Sequence, residues 1–233
     1  MEENKEKKLF INSMLFPFLF VSLLWMIKLI ELEQNWELYR FGVYPRSLNG
    51  MLGILTSPFI HADFNHLIDN SIPLFFLLTA IFYFYWEVAY PVFFLTYLIS
   101  GFGVWLFARS SYHIGASGLV YGFASFLFFS GIFRRNIRLM AISLLVSFLY
   151  GSMVWGIFPY KQDMSFEGHL SGALAGLFLA YYFRENGPQK PQPTWYDEDD
   201  DDEGYNETHD EDDIIVKYKY IPSEKSEKSG DEH

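Results

Sequence analysis

The stretch Ser110-Ser-Tyr-His-Ile-Gly115-Ala-Ser117-Gly118-Leu-Val-Tyr121-Gly122-Phe-Ala-Ser-Phe-Leu-Phe-Phe-Ser-Gly-Ile-Phe133 runs for 24 residues without Asp, Glu, Lys or Arg. A bilayer core of about 30 Å takes about 20 predominantly apolar residues to cross as a helix. The stretch therefore reads as a membrane span that opens with a serine among small residues. Outward from it, uncharged runs recur at 9–27, 70–86, 88–108 and 139–160. A shorter sixth run, 168–183, contains His169 and is rich in Gly and Ala. The expected fold is an all-α membrane protein, a bundle of six transmembrane helices. A long connection, roughly 31–63, follows the first span and is punctuated by Pro45, Gly50, Gly53 and Pro58.

Charge divides the chain into two unlike parts. Residues 1–184 carry 12 Lys+Arg against 11 Asp+Glu, whereas residues 185–233 carry 5 against 17. The mean hydropathy of +0.09 and the pI of about 4.9 average over both parts. An acidic balance argues against nucleic-acid binding, which usually leaves a basic footprint. Asp197–Glu203 is an unbroken acidic run, and such a segment is expected to be disordered because it has too little apolar surface to offset ordering entropy. The expected organisation is a short N-terminus (1–8), a membrane domain (9–184) and an acidic tail (185–233). The first run is 19 residues long and leads into Lys28, Glu31 and Glu33. A signal-peptide core is about 7–15 residues and ends in small residues, so a retained helix is expected. Lys5, Lys7 and Lys8, the Arg134, Arg135 and Arg138 cluster, and Arg184 share one side of a six-span chain. The positive-inside rule makes that side, and both termini, cytoplasmic. There is no cysteine, so no disulfide or thiolate metal site is possible.

Ionisable and polar groups within spans are costly and demand an explanation. His66 and Asn70 are four residues apart at the start of the second span, on one helix face. Both can donate hydrogen bonds to a developing oxyanion, although helix capping would also account for them. Ser117 opens the fourth span between Gly115 and Gly118, where first-turn N–H groups lack intrahelical partners. Gly118 and Gly122 form a small-x-x-x-small face that permits close helix approach, and taken alone this is a packing feature. Gly172 and Gly176 form a second such face in the sixth span, and His169 lies three residues before Gly172. If the two glycine faces meet, Ser117 and His169 come together near one membrane surface. A serine beside an imidazole is the activated nucleophile of acyl transfer. Tyr121, one turn further on, can pack against His169. A lone intramembrane histidine would otherwise read as a hydrogen-bonded structural residue. No H-E-x-x-H zinc motif is present; His61 and His66 are five apart and poorly aligned on a helix. No internal repeat or midplane charge suggests a transporter.

His66-x-x-x-Asn70, Gly115-x-Ser117-Gly118-x-x-Tyr121 and Gly168-His169-x-x-Gly172-x-x-x-Gly176 together resemble the signature motifs of rhomboid intramembrane serine proteases, in the family's order and on its second, fourth and sixth spans. The resemblance covers roughly residues 9–184, a six-helix core. It implies a Ser–His dyad without a third carboxylate, with Ser117 as nucleophile and His169 as general base. It also implies an oxyanion hole of His66, Asn70 and the Ser117 N–H, with Tyr121 bracing His169. The implied reaction is hydrolysis of peptide bonds in or beside transmembrane segments of membrane-protein substrates, with no cofactor and no metal. The site would face the external side of what is expected to be a bacterial plasma membrane. Many family members carry Trp-Arg in the first connection, where this chain has Leu52-Gly53. The alternative reading is an inactive rhomboid-like protein that binds membrane clients.

Overall fold

The computed structural model describes residues 2–137, 140–141, 144–145, 156–159 and 164–187. Most of the expected fifth span, 139–160, and the acidic tail beyond residue 187 lie outside the described residues. Among the described residues the ordered elements are helical. They are α1 (Glu2–Gln34), α2 (Leu48–Met51), α3 (Gly53–Thr56), α4 (Phe64–Phe84), α5 (Ala89–Phe107), α6 (Ser117–Phe133) and α7 (Phe166–Tyr182). Short 3-10 turns cover Leu38–Phe41 and Ser57–Phe59. The chain is an all-helical integral membrane protein. Among the described residues, three helices, α1, α4 and α5, are long and apolar enough to cross a bilayer by length and composition.

The boundaries differ from the uncharged runs for local reasons. α1 extends past its run at both ends, and Pro17 lies inside it. Its buried residues Ser13, Pro17, Phe20, Leu24 and Lys28 recur every three or four positions, which makes one stripe along the helix. The other faces expose Leu15, Phe18, Leu19 and Met26, as suits a helix surrounded by hydrocarbon. α4 begins six residues before its run because Asp63 caps it, accepting a hydrogen bond from the His66 amide at 2.8 Å. α6 begins only at Ser117. Gly115 has φ +103, a backbone conformation that interrupts any helix, and His113 pairs with Val43 in an isolated antiparallel bridge.

The centre of the bundle is aromatic and aliphatic. The ring of Phe16 meets those of Phe82 and Phe93 at centroid distances of 5.0 and 4.9 Å, joining α1, α4 and α5. α6 and α7 pack without intervening side chains. A Cβ placed on Gly172 would overlap the Gly118 carbonyl, and one on Gly176 would overlap that of Gly122. Between membrane helices there is little hydrophobic driving force, so such close van der Waals contact and interhelical hydrogen bonds carry the packing. Ser125 Oγ donates to the Ala173 carbonyl at 2.7 Å, and Ser171 Oγ donates to that of Ser100 at 3.0 Å. At the far end of α6, Arg134 Nη2 donates to the carbonyls of Phe183 and Asn186, both at 2.6 Å, and its guanidinium lies 4.8 Å from the Tyr85 ring centroid.

The connection between α1 and α4 lies against α5. Trp105 Nε1 donates to the Ser47 carbonyl at 2.9 Å, and Arg46 Nη1 donates to that of Ala108 at 3.0 Å. Gly53, in the Leu52-Gly53 pair, sits so close to the Gly42–Val43 backbone that a Cβ would collide with it. Leu48, Leu52 and Leu55 turn an apolar face outward. The connection is thus packed through glycine at the Leu52-Gly53 pair.

Candidate active site

Three helix starts converge at one end of the bundle. Ser117 is the first residue of α6 and is half-buried. His169 is the fourth residue of α7 and is buried. The contact between the two helices runs directly beside them, since a Cβ on Gly118 would lie 3.3 Å from the Gly168 carbonyl oxygen. The two glycine faces do meet, and Ser117 and His169 are the chain neighbours of Gly118 and Gly168 in that contact.

The His169 ring is fixed from two directions. Tyr121 stacks on it with centroids 4.1 Å apart and planes within 8°. Its Nδ1 lies 2.9 Å from the Gly156 carbonyl. A carbonyl can only accept, so Nδ1 carries the hydrogen and the lone pair is on Nε2. Gly156 also packs tightly on Tyr121, where a Cβ would overlap the hydroxyl. Gly156 was not identified from the sequence, because a single glycine in Trp155-Gly156-Ile157 carries no recognisable pattern.

His66 and Asn70 point toward the turn before Ser117. A Cβ on Gly115 would sit 2.6 Å from His66 Nε2 and 3.6 Å from Asn70 Nδ2. Only glycine fits there, both for this space and for the positive φ. Asn70 Nδ2 also donates to the His66 carbonyl at 2.9 Å, which orients the amide along the helix face. Beside Ser117 is a cavity of about 40 Å³ lined in part by Ser57, Tyr97, Ser100, His113 and Ser165.

Two further residues support this end of the molecule and were not assigned to the site from sequence. His61 is buried, and its Nε2 accepts from the Ala116 amide at 3.4 Å. Burial pushes its pKa down to about 3, which keeps the ring neutral and able to accept. Its ring centroid lies 5.1 Å from that of His66. Lys28, near the end of α1, donates from Nζ to the carbonyls of His61 (2.8 Å) and Ala62 (3.1 Å) and pairs with Glu31 at 2.8 Å. In the sequence, Lys28 shows only as the charge that ends the first apolar run.

The His66 amide at the Asp63 cap also holds the Asp63 carboxyl below the usual carboxylate range. A depressed carboxylate stabilises the folded state above its unfolded pKa of about 3.9, and that contribution is lost as pH falls through the lower folded value. Asp63→Ala should therefore speed hydrogen exchange at the His66 amide severalfold, and Asp63→Asn, a good cap, should preserve slow exchange. The protection factor of that amide in the wild type should fall only in acid, below about pH 4.

A family model described as Rhomboid domain matches residues 48–186. An uncharacterized protein of Mycobacterium tuberculosis (strain ATCC 25618 / H37Rv) is 35% identical over 176 residues, covering 70% of this chain and 71% of its own length. An uncharacterized protein of Mycobacterium leprae (strain TN) is 32% identical over 176 residues, covering 70% and 68%.

Proposed function

Because the chain belongs to the rhomboid family, we propose that it is an intramembrane serine endopeptidase acting on peptide bonds in or next to transmembrane segments of membrane proteins. The observation that carries this reading is the fixed His169 ring beside the α6–α7 glycine contact. Its Nδ1–H is committed to Gly156, and Ser117 directly precedes Gly118 of that contact.

In the proposed reaction Ser117 Oγ attacks the scissile carbonyl carbon while His169 Nε2 takes the hydroxyl proton. General-base assistance of this kind contributes about 10²–10⁴-fold. The carbonyl oxygen becomes an oxyanion that accepts hydrogen bonds from the Ser117 N–H, His66 and Asn70. Each such donor is worth about 10²–10³-fold in kcat. Collapse of the tetrahedral intermediate breaks the C–N bond, and His169 returns its proton to the leaving amine. Water, deprotonated by the same imidazole, then hydrolyses the acyl-enzyme. Tyr121 and the Gly156 carbonyl hold the ring in one tautomer and one orientation throughout, a role that a third carboxylate plays in other serine hydrolases. The active end faces outward, both termini are cytoplasmic, residues 9–184 form the membrane body and 185–233 form a cytoplasmic tail.

The test is covalent. Purified full-length protein treated with a fluorophosphonate should gain one phosphonyl adduct on the peptide containing Ser117. Absence of the adduct from protein that is folded in phospholipid vesicles would overturn the nucleophile assignment and favour the client-binding alternative.

A further inference from the structure

His113 is a junction of four chain segments. Its backbone exchanges two hydrogen bonds with Val43 of the first connection, both at 2.9 Å. Its buried side chain lies between two partners. Nε2 is 3.0 Å from the Arg109 carbonyl at the end of α5, and Nδ1 is 2.7 Å from Ser165 Oγ, the N-cap of α7. Ser111 Oγ also lies 3.3 Å from Nε2. The Arg109 carbonyl can only accept, so Nε2 carries the hydrogen and Nδ1 accepts from the Ser165 hydroxyl. Ser165 Oγ in turn accepts from the Gly168 amide at 3.2 Å. The chain of bonds runs from the first turn of α7 to the segment that leads into α6.

The register of this link matters. His113 precedes Ser117 by four residues, and Ser165 precedes His169 by four. A second tie runs alongside it, from Arg109 Nη2 to the Met164 carbonyl at 2.8 Å and from Arg109 Nε to Glu167 at 3.6 Å. The glycine contact below brings the two helices close but presents little relief. Backbone ridges without side chains specify distance better than they specify sliding or rotation. Directional hydrogen bonds at the helix starts add to the Ser125–Ala173 bond in fixing the offset of the two helices.

On the serine-protease reading above, we infer that the His113–Ser165 pair is a positioning device. It sets the offset between the starts of α6 and α7, and so the distance and angle between the Ser117 hydroxyl and the His169 imidazole. Neither residue touches substrate in this scheme. A displacement of about 1 Å at a reacting pair costs on the order of 10²-fold in rate.

The experiment uses full-length protein in phospholipid vesicles. Wild type, His113→Ala, His113→Asn, Ser165→Ala and the His113→Ala/Ser165→Ala double variant are compared. The readouts are the fluorophosphonate labelling rate per folded molecule, kcat and KM on a model membrane substrate, the melting temperature, and ¹⁵N-histidine spectra. His113→Ala should lower labelling and kcat by about 10–100-fold with KM nearly unchanged. His113→Asn, whose amide reaches toward the place of Nδ1, should recover much of the loss. The two alanine effects should be strongly non-additive, because they break one link. The spectra should show His113 protonated at Nε2, a Nδ1 signal that moves in Ser165→Ala, and a His169 ring signal that moves in His113→Ala. Normal labelling per folded molecule in His113→Ala, with only a lowered melting temperature, would reduce the pair to a structural bond and sink the inference while leaving the protease reading intact. If the wild type is not labelled at all, the protease reading fails. The His169 signal then decides the link by itself: movement in His113→Ala supports positioning, and an unmoved signal overturns it.

Discussion

Ser117→Ala is expected to reduce cleavage of a model transmembrane substrate by on the order of 10⁴–10⁶-fold while the protein still inserts and folds. The substitution removes one half-buried oxygen from the first residue of α6, and the helix does not depend on it for a cap. Folding should therefore be close to that of the wild type, and the loss should fall on kcat. His169→Ala should be equally inactive but should behave differently as a folded protein. It removes the ring on which Tyr121 stacks and leaves the Gly156 carbonyl without its donor. An abandoned buried acceptor costs about 1–3 kcal/mol, so this variant should also melt earlier. The measurement is single-turnover cleavage together with thermal melting in the same vesicles. Retained cleavage in Ser117→Ala would rule out its role as nucleophile. An unchanged melting point in His169→Ala would contradict the supporting contacts.

Gly172→Leu is expected to have the second largest effect, by a different route. A Cβ at that position would overlap the carbonyl of Gly118, which is backbone and cannot rotate aside. α7 must then move away from α6 by an ångström or more. Overpacking of this kind typically costs about 1–3 kcal/mol, and more when backbone must shift. Since Gly118 directly follows Ser117 and Gly172 is three residues beyond His169, the same movement separates the proposed reacting groups. A fall in cleavage of about 10²-fold or more, with a lowered melting temperature, is the expected result. Activity and stability both at wild-type levels would show that the glycine contact does not govern the site. Gly172→Ala should fail in the same direction, because the collision begins at Cβ.

Much of this was legible in the sequence, for identifiable reasons. Hydrocarbon tolerates few charges, so spans announce themselves as uncharged runs, and the helices α4, α5, α6 and α7 fall on four of them. The small-x-x-x-small spacings of Gly118/Gly122 and Gly172/Gly176 pointed to the close approach of α6 and α7, because only small residues let two backbones touch. The pairing of Tyr121 with His169 followed from the same placement. The start of α6 was less legible. The uncharged run begins at Ser110, yet residues before Ser117 are held as an extended connector by the Val43 bridge and by the left-handed backbone at Gly115. Hydropathy alone cannot register that change, since the connector is as uncharged as the helix.

Several residues around the candidate site were not assigned to it from the sequence. His61, Lys28, Gly156, His113 and Ser165 make contacts with chain segments from 13 to 70 residues away, among them Lys28 with the His61 carbonyl and His113 with Ser165 and Val43. No periodicity within one segment encodes a partner in another. The sequence by itself settled the solvent this chain folds in, its helical class and the set of polar groups worth suspecting, because burial in lipid imposes rules that each segment must satisfy locally. Tertiary structure alone decided which carbonyl fixes the His169 tautomer, which cap starts α4 and which side chains tie α6 to α7. Those choices depend on distances between segments that become defined only once the helices are packed.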